Sequence, residues 1–360
     1  MIANRKTYDW VYIMKLFLMV GVVLIHSRIN TLQLQPCPNT GLTAGLDITN
    51  YISSKLMAVC VPCFFILSGF LFFLGVKKFT FDQYTSKLKR RCTTLLVPYI
   101  IWCSISGGLF LIKSLCLGFE GYEIVVNGHV NWLKWLEGFW AIPGLDLHEP
   151  FAFAYWFIRN LMVFVVLSPL AYIFGKSLKV YAIFMIAFLG LVSFTEVDFH
   201  GFQWFVTGAA VAYVEKTEFL TKQISNICLI ITGLLWLTLP SIPYEDIDAV
   251  YHILFIATIF SAAIFLWQIS LYCVKWFNTP FLQFMIKSVF WVYSFHQLFC
   301  TVAERFWITI IVPDNFLTIT ITYILKFATL YGFSLMAWII AKRTFPKFVT
   351  ISTGSRNLNK

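Results

Sequence analysis

Two ionisable side chains stand inside the first apolar segment of the chain, YDWVYIMKLFLMVGVVLIHSR. Lys15 and His26 are eleven positions apart, which on an α-helix is about three turns, or about 16 Å, and nearly the same face. A histidine in a dry cavity titrates near neutral pH, and it can accept a proton from a hydroxyl or carry an acyl group on nitrogen. Two alternatives stay open: Lys15 reaches an interface with its long stem, and His26 lies at the opposite interface.

Two further apolar segments carry ionisable groups at comparable depth. PFLQFMIKSVFWVYSFHQLF places Lys287 nine residues before His296, and FAFAYWFIRNLMVFVVLSPL carries Arg159 and Asn160. If the helices alternate in direction, His26, His296 and Arg159 fall in the outer half of the membrane. Polar residues within a span cost free energy and often mark functional paths. The shared depth therefore predicts a polar path through a helical bundle.

Composition places the chain in the membrane class. The sequence is 59% hydrophobic and 12% charged, against roughly 25% charged residues in soluble domains, and its mean hydropathy is +0.78. A net charge of +10 indicates nucleic-acid binding in a soluble protein, but membrane proteins concentrate Lys and Arg on cytoplasmic loops. We therefore predict an all-α integral membrane protein without a nucleic-acid partner. Nine cysteines show no metal-ligand spacing, so no metal is expected.

Apolar segments of spanning length predict a single membrane domain, 1–360, with about ten transmembrane helices. Most basic residues then lie on one side, which predicts that both termini are cytoplasmic. The predicted spans are 10–30, 50–75, 94–113, 151–174, 179–195, 199–214, 222–240, 250–274, 281–304 and 317–341.

A basic run, KLKRR, precedes the third span and contains Arg90 and Arg91. With the inner lysines of other spans it could form a positive funnel for a phosphorylated cytoplasmic molecule. The alternative is that these basic residues only set the orientation of the third span in the membrane. We see no acidic ring or glycine-lined filter of the kind that ion channels use, so group transfer fits better than conduction.

Several motifs resemble those of the acyltransferase family 3 membrane proteins, bacterial O-acyltransferases of cell-surface glycans. Lys15 and His26 resemble the family's opening motif of a basic residue, ten intervening residues and a histidine. VPCFFILSGFLFF resembles the second-helix signature, and the alternative for its SGF is close helix packing alone. KLKRRCTTLLVPYIIW, YWFIRNLMVFVVLSPL and SVFWVYSFHQLF resemble later blocks in the family's order, so the resemblance covers nearly the whole chain.

The resemblance implies a function and a location. The family draws acyl-CoA from the cytoplasm, so we expect acetyl-CoA as the donor substrate, no permanently bound cofactor, and a saccharide or glycolipid acceptor at the outer face. It also implies a bacterial inner membrane protein with the lipid bilayer as a partner. His26 is then the base or acyl relay. The expected donor-side residues are Lys15, Arg90, Arg91 and Lys287, and the expected acceptor-side residues are Trp156, Arg159, Asn160 and His296.

This sequence departs from the family pattern at two positions. Lys15 stands where the opening motif usually has arginine, so the charge remains but bidentate recognition of an anion is lost. Asn160 stands where many relatives have an acidic residue, and no extracellular hydrolase-like domain is expected after the membrane bundle. Two other functions remain as alternatives: a transporter or flippase with an intramembrane His and Lys proton relay, and a non-catalytic subunit that binds an acyl donor.

Overall fold

Helices account for most of the structure, because an apolar chain in lipid must satisfy its backbone hydrogen bonds within each segment. The computed structural model describes all residues except 1–7, 31–39, 118–123, 127–128, 141–148, 195–200, 215–221, 223, 243–247 and 355–360. The α-helices of the described part are α1 Asp9–His26, α2 Thr40–Asn50, α3 Cys60–Phe73, α4 Phe81–Arg91, α5 Val97–Leu117, α6 Trp132–Glu137, α7 Trp156–Val166, α8 Ser168–Gly175, α9 Leu178–Phe194, α10 Phe202–Val214, α11 Asn226–Thr238, α12 Asp248–Cys273, α13 Pro280–Phe295, α14 Cys300–Ile311, α15 Phe316–Thr344 and α16 Pro346–Ser352.

Shorter elements interrupt or join these helices. Two short strands, β1 Val125–Val126 and β2 His129–Val130, pair antiparallel with Val125 opposite Val130. A π-helical turn at Tyr51–Leu56 precedes α3, and a second at Cys92–Leu96 joins α4 to α5.

Five helical segments of the described part are long and apolar enough to cross a membrane. A sixth is possible because Phe153–Val166 and Ser168–Gly175 pass the same test together although the chain bends by 71° between them. The bend lies where Pro169 enters the first turn of α8, since proline cannot continue a preceding helix without kinking it. The five are Asp9–His26, Leu42–Phe73, Phe81–Cys116, His252–Trp276 and Phe316–Thr344.

The all-helical membrane class is thus confirmed, and each of the ten predicted spans falls on helix. Ten crossings and cytoplasmic termini stay predictions. The segment predicted over 281–304 is not one continuous α-helix, because α13 ends at Phe295 and a 3₁₀ turn, His296–Phe299, separates it from α14. The predicted span ends at 195 and 199, and positions 200 and 223 within two predicted spans, lie outside the described residues.

The chain divides into two compact units. The first unit comprises Met1–Phe79, Leu167–Val289 and Ala303–Thr329. The second unit comprises Thr80–Val166, Phe290–Val302 and Leu330–Lys360. A single domain over 1–360 stays a prediction.

The first unit contains a close crossing of α3 and α10. A Cβ built on Gly69 would lie 2.0 Å from the carbonyl oxygen of Phe205, and one built on Gly208 would lie 2.0 Å from that of Ile66. Each glycine therefore admits the backbone of the other helix where any side chain would clash. Gly69 belongs to the SGF sequence, so close helix packing, one of the two readings of that motif, is confirmed.

The core of the second unit is built around α5 and α16. Trp102 packs edge-on against Trp291 with ring centroids 5.4 Å apart, and its indole nitrogen donates to the carbonyl oxygen of Ser352 at 3.1 Å. Gly354 has a φ of +75° beside the backbone of Thr94, in the π-helical turn that follows the basic helix α4. These contacts attach the end of the chain to the base of α5.

Candidate active site

Lys15 and His26 lie on one uninterrupted helix, α1, and both are half-buried. The predicted separation of about three helical turns along nearly one face therefore holds for their backbone positions. The ammonium of Lys15 lies 5.7 Å from the ring centroid of Tyr12, one turn nearer the start of the helix. The two groups thus mark separate positions along α1, with His26 as its last residue.

The end of α1 is held by side chains from other elements. The carbonyl oxygen of Leu24 accepts the backbone N–H of Ser27 at 3.2 Å, the hydroxyl of Ser53 at 3.0 Å and the hydroxyl of Tyr323 at 3.1 Å. The two hydroxyl oxygens also lie 3.0 Å from each other. Carbonyls in the last turn of a helix lack intrahelical partners, so these donors satisfy a group two residues before His26.

A buried ion pair holds the chain just beyond His26. The Lys326 ammonium lies 2.8 Å from Oε2 of Glu304 and donates to the carbonyl oxygen of Arg28 at 2.7 Å. The other carboxylate oxygen of Glu304 accepts the backbone N–H of Asn30 at 2.7 Å. Lys326 is 1% exposed and Glu304 is 6% exposed.

None of the four side chains that hold this part of the backbone was among the predicted site residues: Ser53, Glu304, Tyr323 and Lys326. A signal for two of them was present, because Lys326 and Glu304 are charged residues inside the predicted spans 317–341 and 281–304. Ser53 and Tyr323 gave no such signal, since hydroxyl side chains are common in membrane helices.

His296 is buried at the 3₁₀ turn between α13 and α14. Its Nδ1 lies 2.9 Å from the carbonyl oxygen of Val292. A carbonyl only accepts, so Nδ1 carries the proton, and Nε2 is the acceptor nitrogen of the neutral ring. This arrangement fixes the tautomer and directs any proton-accepting chemistry to Nε2.

The predicted acceptor-side residues of α7 lie in the second unit with His296. Arg159 donates from Nη1 to the carbonyl oxygen of Trp140 at 3.0 Å and from Nε to Oδ1 of Asn160 at 3.2 Å. The asparagine therefore supplies a neutral acceptor to the guanidinium. Trp156 begins α7 and is half-buried.

Two hydrogen bonds join the start of α7 to the end of α13, close to His296. The hydroxyl groups of Tyr155 and Ser294 lie 2.7 Å apart, and the hydroxyl of Tyr293 donates to the carbonyl oxygen of Ala154. The second unit thus brings the beginning of the Trp156–Asn160 segment beside the residues that lead into His296.

The predicted donor-side residues are divided between the two units. Lys287 lies half-buried on α13 in the first unit with Lys15. Arg90 and Arg91 end α4 in the second unit, where Arg90 is exposed and Arg91 is half-buried. Lys87 precedes them by three and four positions, so the three cations share one face of α4. That face suits an anionic group but is also a common topology signal.

Helix α4 is anchored at both ends. The Thr80 side chain caps its start by accepting the backbone N–H of Gln83 at 3.4 Å. At its end, the carbonyl oxygen of Arg90 accepts the hydroxyls of Thr93 and Thr94 at 2.9 and 3.1 Å.

Within the residues that the structure describes, no three His, Cys, Asp or Glu side chains are grouped to hold a metal ion.

Comparison with known proteins identifies the family. Residues 8–342 match the profile of a family described as an acyltransferase domain. ExoH, a succinoglycan biosynthesis protein of Rhizobium meliloti (strain 1021), is 29% identical over 163 residues, which are 44% of this chain and 40% of ExoH. The chain thus aligns with less than half the length of this curated relative, and no solved structure matches it.

The family profile extends over nearly the entire chain and includes Lys15, His26 and every other predicted site residue. Apolar helices of spanning length accompany it. The resemblance read from the motifs is therefore confirmed: the chain belongs to acyltransferase family 3.

Proposed function

We propose that this protein is an O-acetyltransferase that moves an acetyl group from cytoplasmic acetyl-CoA to a hydroxyl of a cell-surface polysaccharide or glycolipid at the outer face. The observation that carries the proposal is the half-buried His26 at the fixed end of α1, within the span of the acyltransferase profile. The name of the relative ExoH as a succinoglycan biosynthesis protein supports a saccharide acceptor.

The chemistry assigns His26 the role of base or acyl relay. As a base, its neutral imidazole takes the proton of the acceptor hydroxyl while the hydroxyl oxygen attacks the thioester carbonyl. The carbon–sulfur bond breaks, the coenzyme thiolate takes up the proton, and the products are an O-acetyl ester and free CoA thiol. As a relay, an imidazole nitrogen first receives the acetyl group and then passes it to the hydroxyl.

Charge supports the direction of transfer. The exposed and half-buried cations at the end of α4 suit the phosphates of the coenzyme, with Lys15 and Lys287 as further cations of the donor path. Trp156, Arg159, Asn160 and His296 form the acceptor side. In this proposal the chain crosses a bacterial inner membrane ten times with both termini in the cytoplasm.

The test is the acetyl content of surface glycans in a strain that lacks the gene and is complemented with variants. His26→Ala should abolish acetylation while the protein remains inserted and folded, because the imidazole that takes the proton or the acetyl group at the end of α1 is removed. His252→Ala, in the first unit but outside the proposed site, is the matched control and should retain acetylation. Undiminished acetylation with His26→Ala overturns the role of this histidine, and flux driven by a pH gradient without acyl-CoA would instead identify a transporter.

A further inference from the structure

The backbone is held on both sides of His26 by four side chains that come from distant parts of the sequence. We call Ser53, Glu304, Tyr323 and Lys326 the end clamp. Ser53 and Tyr323 donate to the carbonyl oxygen two residues before His26, and Lys326 donates to the carbonyl oxygen two residues after it. All four lie in the same unit as His26.

The clamp lies in the interior of the first unit. Ser53, Tyr323, Lys326 and Glu304 are all buried. Beyond the helix end, the buried side chain of Ile29 packs in an apolar cluster that includes Tyr323 itself. Loss of the Tyr323 hydroxyl leaves the Leu24 carbonyl oxygen with two of its three donors, the Ser27 N–H and the Ser53 hydroxyl. Loss of the Lys326 ammonium removes a charged donor from the Arg28 carbonyl oxygen, and such a loss is costly in a buried setting.

A buried ion pair adds little net stability to a fold, because the loss of hydration of both charges offsets their attraction. Well-packed apolar residues can often replace a buried ion pair without loss of stability. Here, however, each member of the pair also binds a backbone group: Lys326 donates to the carbonyl oxygen of Arg28, and Glu304 accepts the N–H of Asn30. An apolar pair could not make those contacts. The positive charge also lies by the carboxyl end of α1, where it favours the helix dipole.

We propose that the end clamp consists of positioning residues for His26: it fixes the last turn of α1 so that the imidazole meets the reacting groups. The inference rests on the proposed function, in which that imidazole is the reacting group. None of the four residues needs to touch the substrate. Their effect comes through the backbone positions at Leu24, Arg28 and Asn30 that flank the histidine.

The first experiment measures the reactivity of His26 toward diethyl pyrocarbonate in the purified full-length protein, with His252 as the internal reference. Tyr323→Phe removes one clamp donor without changing charge. Tyr51→Phe is its matched control, because the Tyr51 hydroxyl also donates to a backbone carbonyl, that of Leu237, at 2.6 Å but outside the clamp. We expect Tyr323→Phe to raise the modification rate of His26 about fivefold, the equivalent of one lost hydrogen bond, and Tyr51→Phe to leave it unchanged.

A second variant separates ion pairing from positioning. Exchanging the charges, Glu304→Lys with Lys326→Glu, retains an ion pair but leaves the Arg28 carbonyl facing a carboxylate and the Asn30 N–H facing an ammonium. A purely structural pair would be restored by the exchange. Positioning predicts that a folded exchange variant still shows raised His26 modification and loses acetyl transfer by about a hundredfold, the scale of a misplacement of about 1 Å.

The outcomes separate the clamp from the proposed function. Raised His26 reactivity together with reduced surface acetylation supports both. Raised reactivity with wild-type acetylation overturns the positioning role, because the clamp then restrains His26 without serving the reaction; the catalytic role of His26 is decided separately by His26→Ala. Wild-type His26 reactivity in folded Tyr323→Phe overturns the clamp, and if the exchange variant fails to fold, Tyr323→Phe alone decides.

Discussion

Replacement of Gly69 by alanine should destabilise the first unit by forcing two helices apart. The added Cβ would stand 2.0 Å from the Phe205 carbonyl oxygen, whereas ordinary contact begins at 3.4 Å. The neighbouring atom is backbone, so no side chain can rotate away, and α3 and α10 must separate by about 1 Å or more. Overpacking of this kind costs about 1–3 kcal/mol, and the upper end applies here because the obstacle is rigid.

Alanine also has an intrinsic advantage over glycine in helices, about 1 kcal/mol. The expected net loss for Gly69→Ala is therefore about 2 kcal/mol. Gly332→Ala on α15 is the matched control, since no atom lies within 4 Å of a Cβ at that position. That variant should gain the helix preference alone, so the two substitutions should differ by about 3 kcal/mol in opposite directions.

The assay is thermal unfolding of the purified protein in detergent, followed by tryptophan fluorescence. Gly69→Ala should melt several degrees below the wild type, and Gly332→Ala should melt at or above it. The reasoning is refuted if the two variants melt at the same temperature. A normal melting temperature for Gly69→Ala combined with loss of acetylation would also refute it, because the effect would then be chemical rather than steric.

Two further predictions concern the proposed donor and acceptor sides. Replacing both Arg90 and Arg91 by alanine should raise the KM for acetyl-CoA about tenfold or more, because each charge-assisted phosphate contact is worth more than a neutral hydrogen bond. The KM is measured from acetyl transfer in inside-out membrane vesicles titrated with labelled acetyl-CoA. An unchanged KM would mean that the basic residues of α4 serve only to orient the chain in the membrane. His296→Asn keeps a donor for the Val292 carbonyl but removes Nε2. Acetylation should therefore fall at least about a hundredfold, the usual scale for a general base, while the melting temperature stays unchanged. Retained acetylation would mean that this histidine has only a structural role.

The helical architecture was predictable because hydropathy alone decides which segments enter lipid. All ten predicted spans fall on helix, and the boundaries of α1 and α15 lie within a few residues of the prediction. The break at His296 was not predictable, since SVFWVYSFHQLF contains no proline or glycine to end a helix. The residues just before the break, Tyr293 and Ser294, contact the start of α7, and no local pattern reveals these contacts.

The site was only partly predictable for a related reason. Depth along a helix can be counted from the sequence, and this count made His26, Lys15 and His296 candidates. Which side chains of two helices meet depends on how each helix is rotated about its axis and how the helices pack. The periodicity of a single sequence does not reveal this. Glu304 and Lys326 are 22 positions apart, and their contacts at Asn30 and Arg28 lie 274 and 298 positions away. Only the structure assembles these groups.

The ion pair also constrains how the chain is made. Glu304 leaves the ribosome before Lys326, and until α15 is synthesised its carboxylate has no ammonium to meet. A carboxylate in an apolar setting without its partner is costly, so α14 gains a stable place only together with α15. We therefore expect α14 and α15 to join the nascent protein as a pair, and the end of α1 to receive the contacts of Glu304 and Lys326 only at that step. The surroundings of His26 would then be assembled only after α15 has been synthesised.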